Sequence, residues 1–423
     1  MILEKLNIQS VCSYFHIACT LFLFSTLPFF YSKFTQYGLI FFFVSFIADY
    51  IASKRWQKGF KIDTSRVISI LLILQFVLLL VFGLFEQDSR FLSTFFEKRT
   101  SLLGFGIVGL LGVSDKFKLR PFAYISILSV AICVYNTIDL LPWYFNRLDN
   151  LETKLNLARY IRAANISSHM MINTFMSVGM ILFAKVVSIS KSKLEKAFCI
   201  FMILVFYAII MLSDGRIGIF NASIILLFII LRFTVKKINY LIPILFVILS
   251  VICASYVLVF IDNPIKDKIF VLNKKNPREY VWKDGAELIK ESPFIGVGAS
   301  TNALRVKEKL LNDEQLCSME EFLIDHIKQD NVFAMHTHNQ IMQSWQEYGL
   351  IGLFAILALF VSIFVYSRHS LSMILIFSMV AIQLITDVID GSIGNLAFSM
   401  YVYLLLIFSK QMGKRTNILS SIG

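Results

Sequence analysis

The sequence predicts an all-α polytopic membrane protein with about twelve transmembrane helices and one large, mainly helical periplasmic loop. Three observations predict it. Of 423 residues, 57% are apolar and 16% charged, and mean hydropathy is +0.71. The apolar residues fall into runs close to the roughly 20 positions needed to cross a hydrocarbon layer. Basic residues return in alternate connections, as they do when Lys and Arg are retained on the cytoplasmic side. This composition excludes an isolated soluble enzyme, a disordered scaffold and a disulfide-rich secreted domain.

Taken in order, the apolar runs predict helices at 12–31, 37–52, 67–86, 101–114, 122–141, 167–187, 197–213, 217–231, 239–261, 349–366, 371–389 and 392–409. The fourth run is short for a span. No small-x-small cleavage pattern follows the first run, so it reads as an uncleaved span. Six cysteines give no disulfide framework: Cys12, Cys19, Cys133, Cys199 and Cys253 lie in or beside apolar runs, and Cys317 stands in a polar stretch without a partner there.

With a cytoplasmic N-terminus, the inner connections carry Lys54, Arg55, Lys58, Lys61 and Arg66, then Lys116, Lys118 and Arg120, then Lys191, Lys193 and Lys196. Arg232, Lys236 and Lys237 follow, then Arg368, and finally Lys410, Lys414 and Arg415. Both termini are expected in the cytoplasm of an inner-membrane protein. The net charge of +12 is explained by this bias and requires no nucleic acid.

The chain therefore divides into a membrane part over 1–261, a polar outer segment over 262–348 and a second membrane part with a cytoplasmic tail over 349–423. The polar segment is too long for a simple connector. Its mixture of acids, bases and amphipathic stretches predicts a small helical subdomain.

Four stretches bring cationic or imidazole groups to the outer side in this topology. Arg159 and Arg162 precede the sixth run. Arg216 stands in the tight Ser213-Asp214-Gly215-Arg216 turn, either as a cation reaching for the interface or as a group with an anionic partner, Asp214 or a phosphate. Arg278 follows Asn276 and Pro277, a plausible cap and first helical residue. A cation in that first turn opposes the helix dipole unless Glu279, solvent or a bound anion compensates it. The same helix leads through Trp282 to Ser292-Pro293-Phe294-Ile295-Gly296-Val297-Gly298, whose glycines signal a turn.

The fourth stretch runs His336-Thr337-His338-Asn339-Gln340 to Glu347-Tyr348-Gly349-Leu350-Ile351-Gly352. A metal pair at His336 and His338 lacks further ligands at a suitable spacing. A structural histidine is the ordinary alternative. A neutral imidazole beside arginines is also suited to take a proton near neutral pH.

The stretch His336–Gly352 resembles the signature of the O-antigen ligase and polymerase superfamily of bacterial membrane glycosyltransferases. The hairpin at Arg216 and the R-x(3)-W segment at Arg278 leading into S-P-F-I-G-V-G are similar to its other landmarks, in the same order. The resemblance implies transfer of a glycan from undecaprenyl diphosphate to a sugar hydroxyl, on lipid A core in a ligase or on another repeat unit in a polymerase. It implies that His338 is the general base and that Arg216 and Arg278 bind the diphosphate, with Arg159 or Arg162 as a further arginine. It gives Asn339, His336, Glu347 and Asp387 supporting positions. No metal, nucleotide or other cofactor is implied.

These side chains suit that chemistry on their own terms. Departure of a diphosphate concentrates negative charge that guanidinium groups stabilise in fixed geometry. A hydroxyl of high pKa needs a base within reach as it attacks. The R-x10-G pattern of some polymerases is absent from Arg159, where Met170 stands, and from Arg278, where Ile289 stands; a ligase is the preferred expectation. A transporter of lipid-linked glycans would instead be expected to show internal repeats and ionisable groups near the midplane.

Overall fold

A computed structural model describes residues 8–28, 33–57, 62–86, 92–114, 116–135, 169–212, 216–235, 277–312, 337, 339–367 and 396–408. These residues are helical or connecting, with no strand among them. The helices are α1 (Ile8–Thr26), α2 (Lys33–Ala52), α3 (Thr64–Gly83), α4 (Leu92–Leu111) and α5 (Leu119–Ile125). They continue with α6 (His169–Ile189), α7 (Lys193–Leu212), α8 (Arg216–Val235), α9 (Pro277–Glu291), α10 (Ala299–Asn312) and α11 (Gln340–Ser367). A further apolar helix, α12, covers Leu396–Phe408.

Among the described residues, six helices are long and apolar enough to cross a membrane: α1, α2, α3, Met171–Ile189 of α6, Lys193–Met211 of α7, and α11. The expected runs at 239–261 and 371–389 lie outside the described residues. The fourth run needs correction. Its helix begins at Leu92, nine positions before the expected start, because the polar Glu97-Lys98-Arg99-Thr100 sequence does not end a helix there; Arg99 is buried and paired. The fifth run includes a turn at Ser126 and Ile127, after which the helix resumes to Tyr135.

The chain divides into two compact units. One comprises Met1–Thr20, Leu39–Phe117 and Lys275–Gly423, the other Leu21–Gly38 and Lys118–Lys274. In the first, α3 packs along α4 and α11. Small residues allow this approach: Gly106 of α4 sits against Ile73 and the Ser69 carbonyl of α3, and Gly109 against Ser69 and Leu406. The polar helix α10 turns Ala299 and Ala303 into a core with Leu78, Leu79, Phe95, Tyr348 and Ala355. In the second unit α6 is central, with 78% of its apolar span buried, and it packs on α5, α7 and α8. There Gly179 meets Phe206 and Ser126, while Phe24 packs its ring on Phe175 at 4.7 Å.

Among the described residues, the first unit holds two buried polar clusters. At the end of α2, Asp49 pairs with Arg55, which also donates to the Gly112 carbonyl, and Ser13 donates to Asp49 at 2.6 Å. Near this pair His16 contacts Ser45 at 3.1 Å and Tyr403 of α12 at 3.2 Å. The other cluster surrounds Glu347.

Candidate active site

Helix α9 begins at Pro277, as the Asn276-Pro277 pair predicts. Arg278 therefore occupies its first turn. Trp282, one helical turn further on, donates its indole N–H to the Thr337 carbonyl at 2.9 Å. Gly285 on the same helix lies so close to Gln346, Thr337 and Met342 that a methyl group there would collide with them. The segment carrying R-x(3)-W and the segment carrying H-T-H-N are thus in direct contact.

Thr337 is fully buried. Its N–H and hydroxyl donate to Gln343 Oε1 at 3.2 and 3.1 Å, and its hydroxyl also reaches the Asn339 carbonyl at 3.2 Å. On the other side of residue 338, Asn339 caps α11: its Oδ1 accepts from the N–H groups of Ile341 at 3.0 Å and Met342 at 3.1 Å. An asparagine ahead of an apolar periodic run is a cap signal, so this part of the motif has a local structural reason beside its place in the resemblance.

Helix α11 is interrupted once, at Gly349, with φ 60° and ψ −150°. Side chains other than glycine are strained there. The interruption frees backbone groups that a continuous helix would pair internally. In regular geometry Leu350 N–H would bond to Gln346, and Ile351 N–H to Glu347. Instead Leu350 donates to the Phe294 carbonyl at 3.2 Å, while the Gln346 and Glu347 carbonyls accept from Val297 at 2.8 Å and Gly298 at 2.9 Å. The P-F-I-G-V-G segment therefore substitutes for a missing helical turn. Gly296 approaches the Glu347 carbonyl group and the Gly349 nitrogen within 2.6 Å of where a Cβ would stand, and Gly352 similarly abuts the Ser344 carbonyl. Trp345 adds an N–H bond to the Pro293 carbonyl at 2.9 Å.

Glu347 is completely buried. Its Oε2 accepts from Arg99 at 2.7 Å and its Oε1 from Gln343 at 2.6 Å. Arg99 also donates to the Tyr348 hydroxyl, and its guanidinium lies 5.6 Å from that ring and 5.9 Å from Phe95. The sequence reading did not single out Arg99. Its partner lies 248 positions away, and no local pattern links the two.

A second acid, Glu86, lies just past α3 and accepts the Ser300 N–H at the start of α10. Burial is the largest influence on it and pushes its carboxyl up to about 7. The Ser300 amide opposes that shift, and the nearby Glu347 carboxylate reinforces it.

The other expected site residues fall as follows. Arg216 begins α8, in the second unit, and Arg278 lies in α9, in the first. His336, His338, Arg159, Arg162 and Asp387 lie outside the described residues. Among the described residues, no three His, Cys, Asp or Glu side chains are grouped to hold a metal ion.

Residues 199–357 match the family described as O-antigen ligase. The matched stretch contains Arg216, Arg278, His338, Asn339 and Glu347, and it supports the O-antigen ligase and polymerase superfamily. No curated protein matches the chain.

Proposed function

We propose that this multi-pass membrane protein, which carries an O-antigen ligase domain over residues 199–357, transfers a glycan from undecaprenyl diphosphate to a sugar hydroxyl of lipid A core. The acceptor oxygen attacks the anomeric carbon, the bond from that carbon to the diphosphate oxygen breaks, and undecaprenyl diphosphate leaves with the bonding electrons. The acceptor proton passes to His338 as general base. Arg216 and Arg278, with Arg159 or Arg162, hold the diphosphate and stabilise its growing charge. His336, Asn339, Glu347 and Asp387 support the site. The reaction in this reading needs no metal or other cofactor.

The observation that carries the proposal is the clamp on both neighbours of residue 338. Trp282 and Gln343 hold Thr337, and Asn339 caps α11. A base that must meet a hydroxyl within hydrogen-bond reach needs such fixed surroundings.

The topology that suits this chemistry has about twelve spans, cytoplasmic termini and residues 262–348 in the periplasm, flanked by membrane parts over 1–261 and 349–423. Nucleotide sugars are scarce on that face, whereas a lipid-linked donor reaches it through the inner membrane. Membrane lipids surround the protein, the donor and acceptor are its partners, and nucleic acid has no part.

Deletion of the gene followed by analysis of surface glycolipids tests the reading. The expected result is bare core with polymerised glycan left on the carrier lipid. Core bearing one repeat unit would identify a polymerase with the same reaction centre, and carrier-linked units retained on the cytoplasmic face would identify a transporter. His338→Ala and Arg278→Ala should each abolish transfer while the protein remains folded in the membrane; unchanged turnover in both removes the assigned roles.

A further inference from the structure

We infer that Arg99 is a positioning residue for this reaction: through Glu347 and Gln343 it sets the backbone of Thr337 and hence the place of residue 338. The inference rests on the glycosyl-transfer reading above and adds a residue outside the O-antigen ligase match, which begins at 199.

The connection is continuous. Arg99 Nη2 donates to Glu347 Oε2 at 2.7 Å, Gln343 Nε2 donates to Glu347 Oε1 at 2.6 Å, and Gln343 Oε1 accepts both the N–H and the hydroxyl of Thr337. Arg99 is 3% exposed, and Glu347, like Thr337, is not exposed at all. Water therefore does not compete for these bonds, and each is worth more than its exposed counterpart.

The chemistry of the groups gives the chain a direction. An ionised carboxylate only accepts hydrogen bonds, so Gln343 must present its NH2 group to Glu347 and its carbonyl oxygen to Thr337. The Thr337 N–H only donates and requires that oxygen. Arg99 supplies that carboxylate with a permanent buried countercharge, and without it the contact no longer dictates the orientation of the Gln343 amide. Trp282 holds the Thr337 carbonyl from the opposite side. Thr337, the residue before 338, is thereby held through both its own N–H and its own carbonyl.

This role differs from simple stabilisation, and the difference is measurable. Removing one partner of a buried ion pair strands a charge, whereas replacing both with apolar groups of similar size is often neutral for stability. The double variant Arg99→Met/Glu347→Met removes the relay and takes out both members of the ion pair together. In purified full-length protein assayed with undecaprenyl diphosphate-linked glycan and lipid A core, its thermal midpoint should stay near that of wild type. Its kcat should fall about 10- to 100-fold with KM unchanged, the loss expected when a reacting group is displaced by about 1 Å.

Gln343→Leu provides a second variant, cutting the relay while leaving the Arg99–Glu347 pair in place, and should lose kcat in the same way. Full kcat in either folded variant overturns the inference. His338→Ala is measured beside them. If it is inactive and the relay variants run at full speed, the positioning role alone falls; if it is as fast as wild type, the reading beneath the inference falls as well.

Discussion

Among the described residues, the first unit contains two buried arginine–carboxylate pairs with different reach. Arg55 and Asp49 lie six positions apart near the start of α3. Arg99 and Glu347 lie 248 positions apart, towards the other end of that helix, which is about 30 Å long. The first pair secures a local connection, joining the end of α2 to the turn before α3 and to Gly112. The second joins α4 to α11, whose Gln343 bonds both Glu347 and Thr337. The same ionic chemistry thus closes a loop at one place and reaches a candidate reaction centre at the other.

Breaking each pair separates these uses. Arg99→Met removes the buried cation that Glu347 pairs with and should cost about 3–5 kcal/mol. Arg55→Met should cost less, about 1–3 kcal/mol, because Asp49 keeps the Ser13 hydrogen bond and Arg55 lies nearer solvent. Denaturation of the two variants in the same detergent gives the comparison. Equal losses would show that the long-range pair is no more deeply committed than the local one.

Gly349 sharpens the contrast because it depends on backbone rather than charge. Alanine there would hold φ near 60° and drive its Cβ into the Phe294 carbonyl. A loss of about 3 kcal/mol is expected, read as a lower thermal midpoint. A midpoint equal to wild type would mean that the interruption of α11 is easily regularised.

The smallest effect concerns acid crowding at the Glu347 end, where Glu86 is a second carboxyl group. Its value of about 7 lies above the ordinary 4.5, so the folded state favours the protonated form. The associated stability is complete below about 4.5 and is lost as pH rises through about 7. Glu86→Gln keeps a neutral acceptor for Ser300 and should gain thermal stability relative to wild type as pH is raised from 5 to 8.5. A constant difference across that range would exclude titration of Glu86 as its source.

Much of the helical pattern was legible because apolar runs have to be long and charge-poor to cross hydrocarbon. The start of α9 was legible for another reason, since Pro277 carries its own backbone constraint. The same charge criterion misplaced the start of α4. Glu97, Lys98 and Arg99 look like an interface when only neighbours are considered, and Arg99 becomes tolerable inside the helix pair through an acid supplied 248 positions later. The turn value of Gly296 and Gly298 was visible in their spacing, and both have positive φ, 77° and 81°. Their service to a break in α11 was not visible, because hydrogen bonds across that distance leave no periodic trace. The O-antigen resemblance named Asn339 and Glu347; geometry supplies what each does, one as a helix cap and one as the meeting point of Arg99 and Gln343.

The borrowed turn at Gly349 also restricts how this molecule can be re-engineered. Residues 294–298 complete the hydrogen bonding of a helix that begins more than forty positions downstream. A chimera that exchanges the polar segment between relatives must move 292–298 and 340–352 together; a junction between them would leave the membrane helix without its surrogate backbone partners.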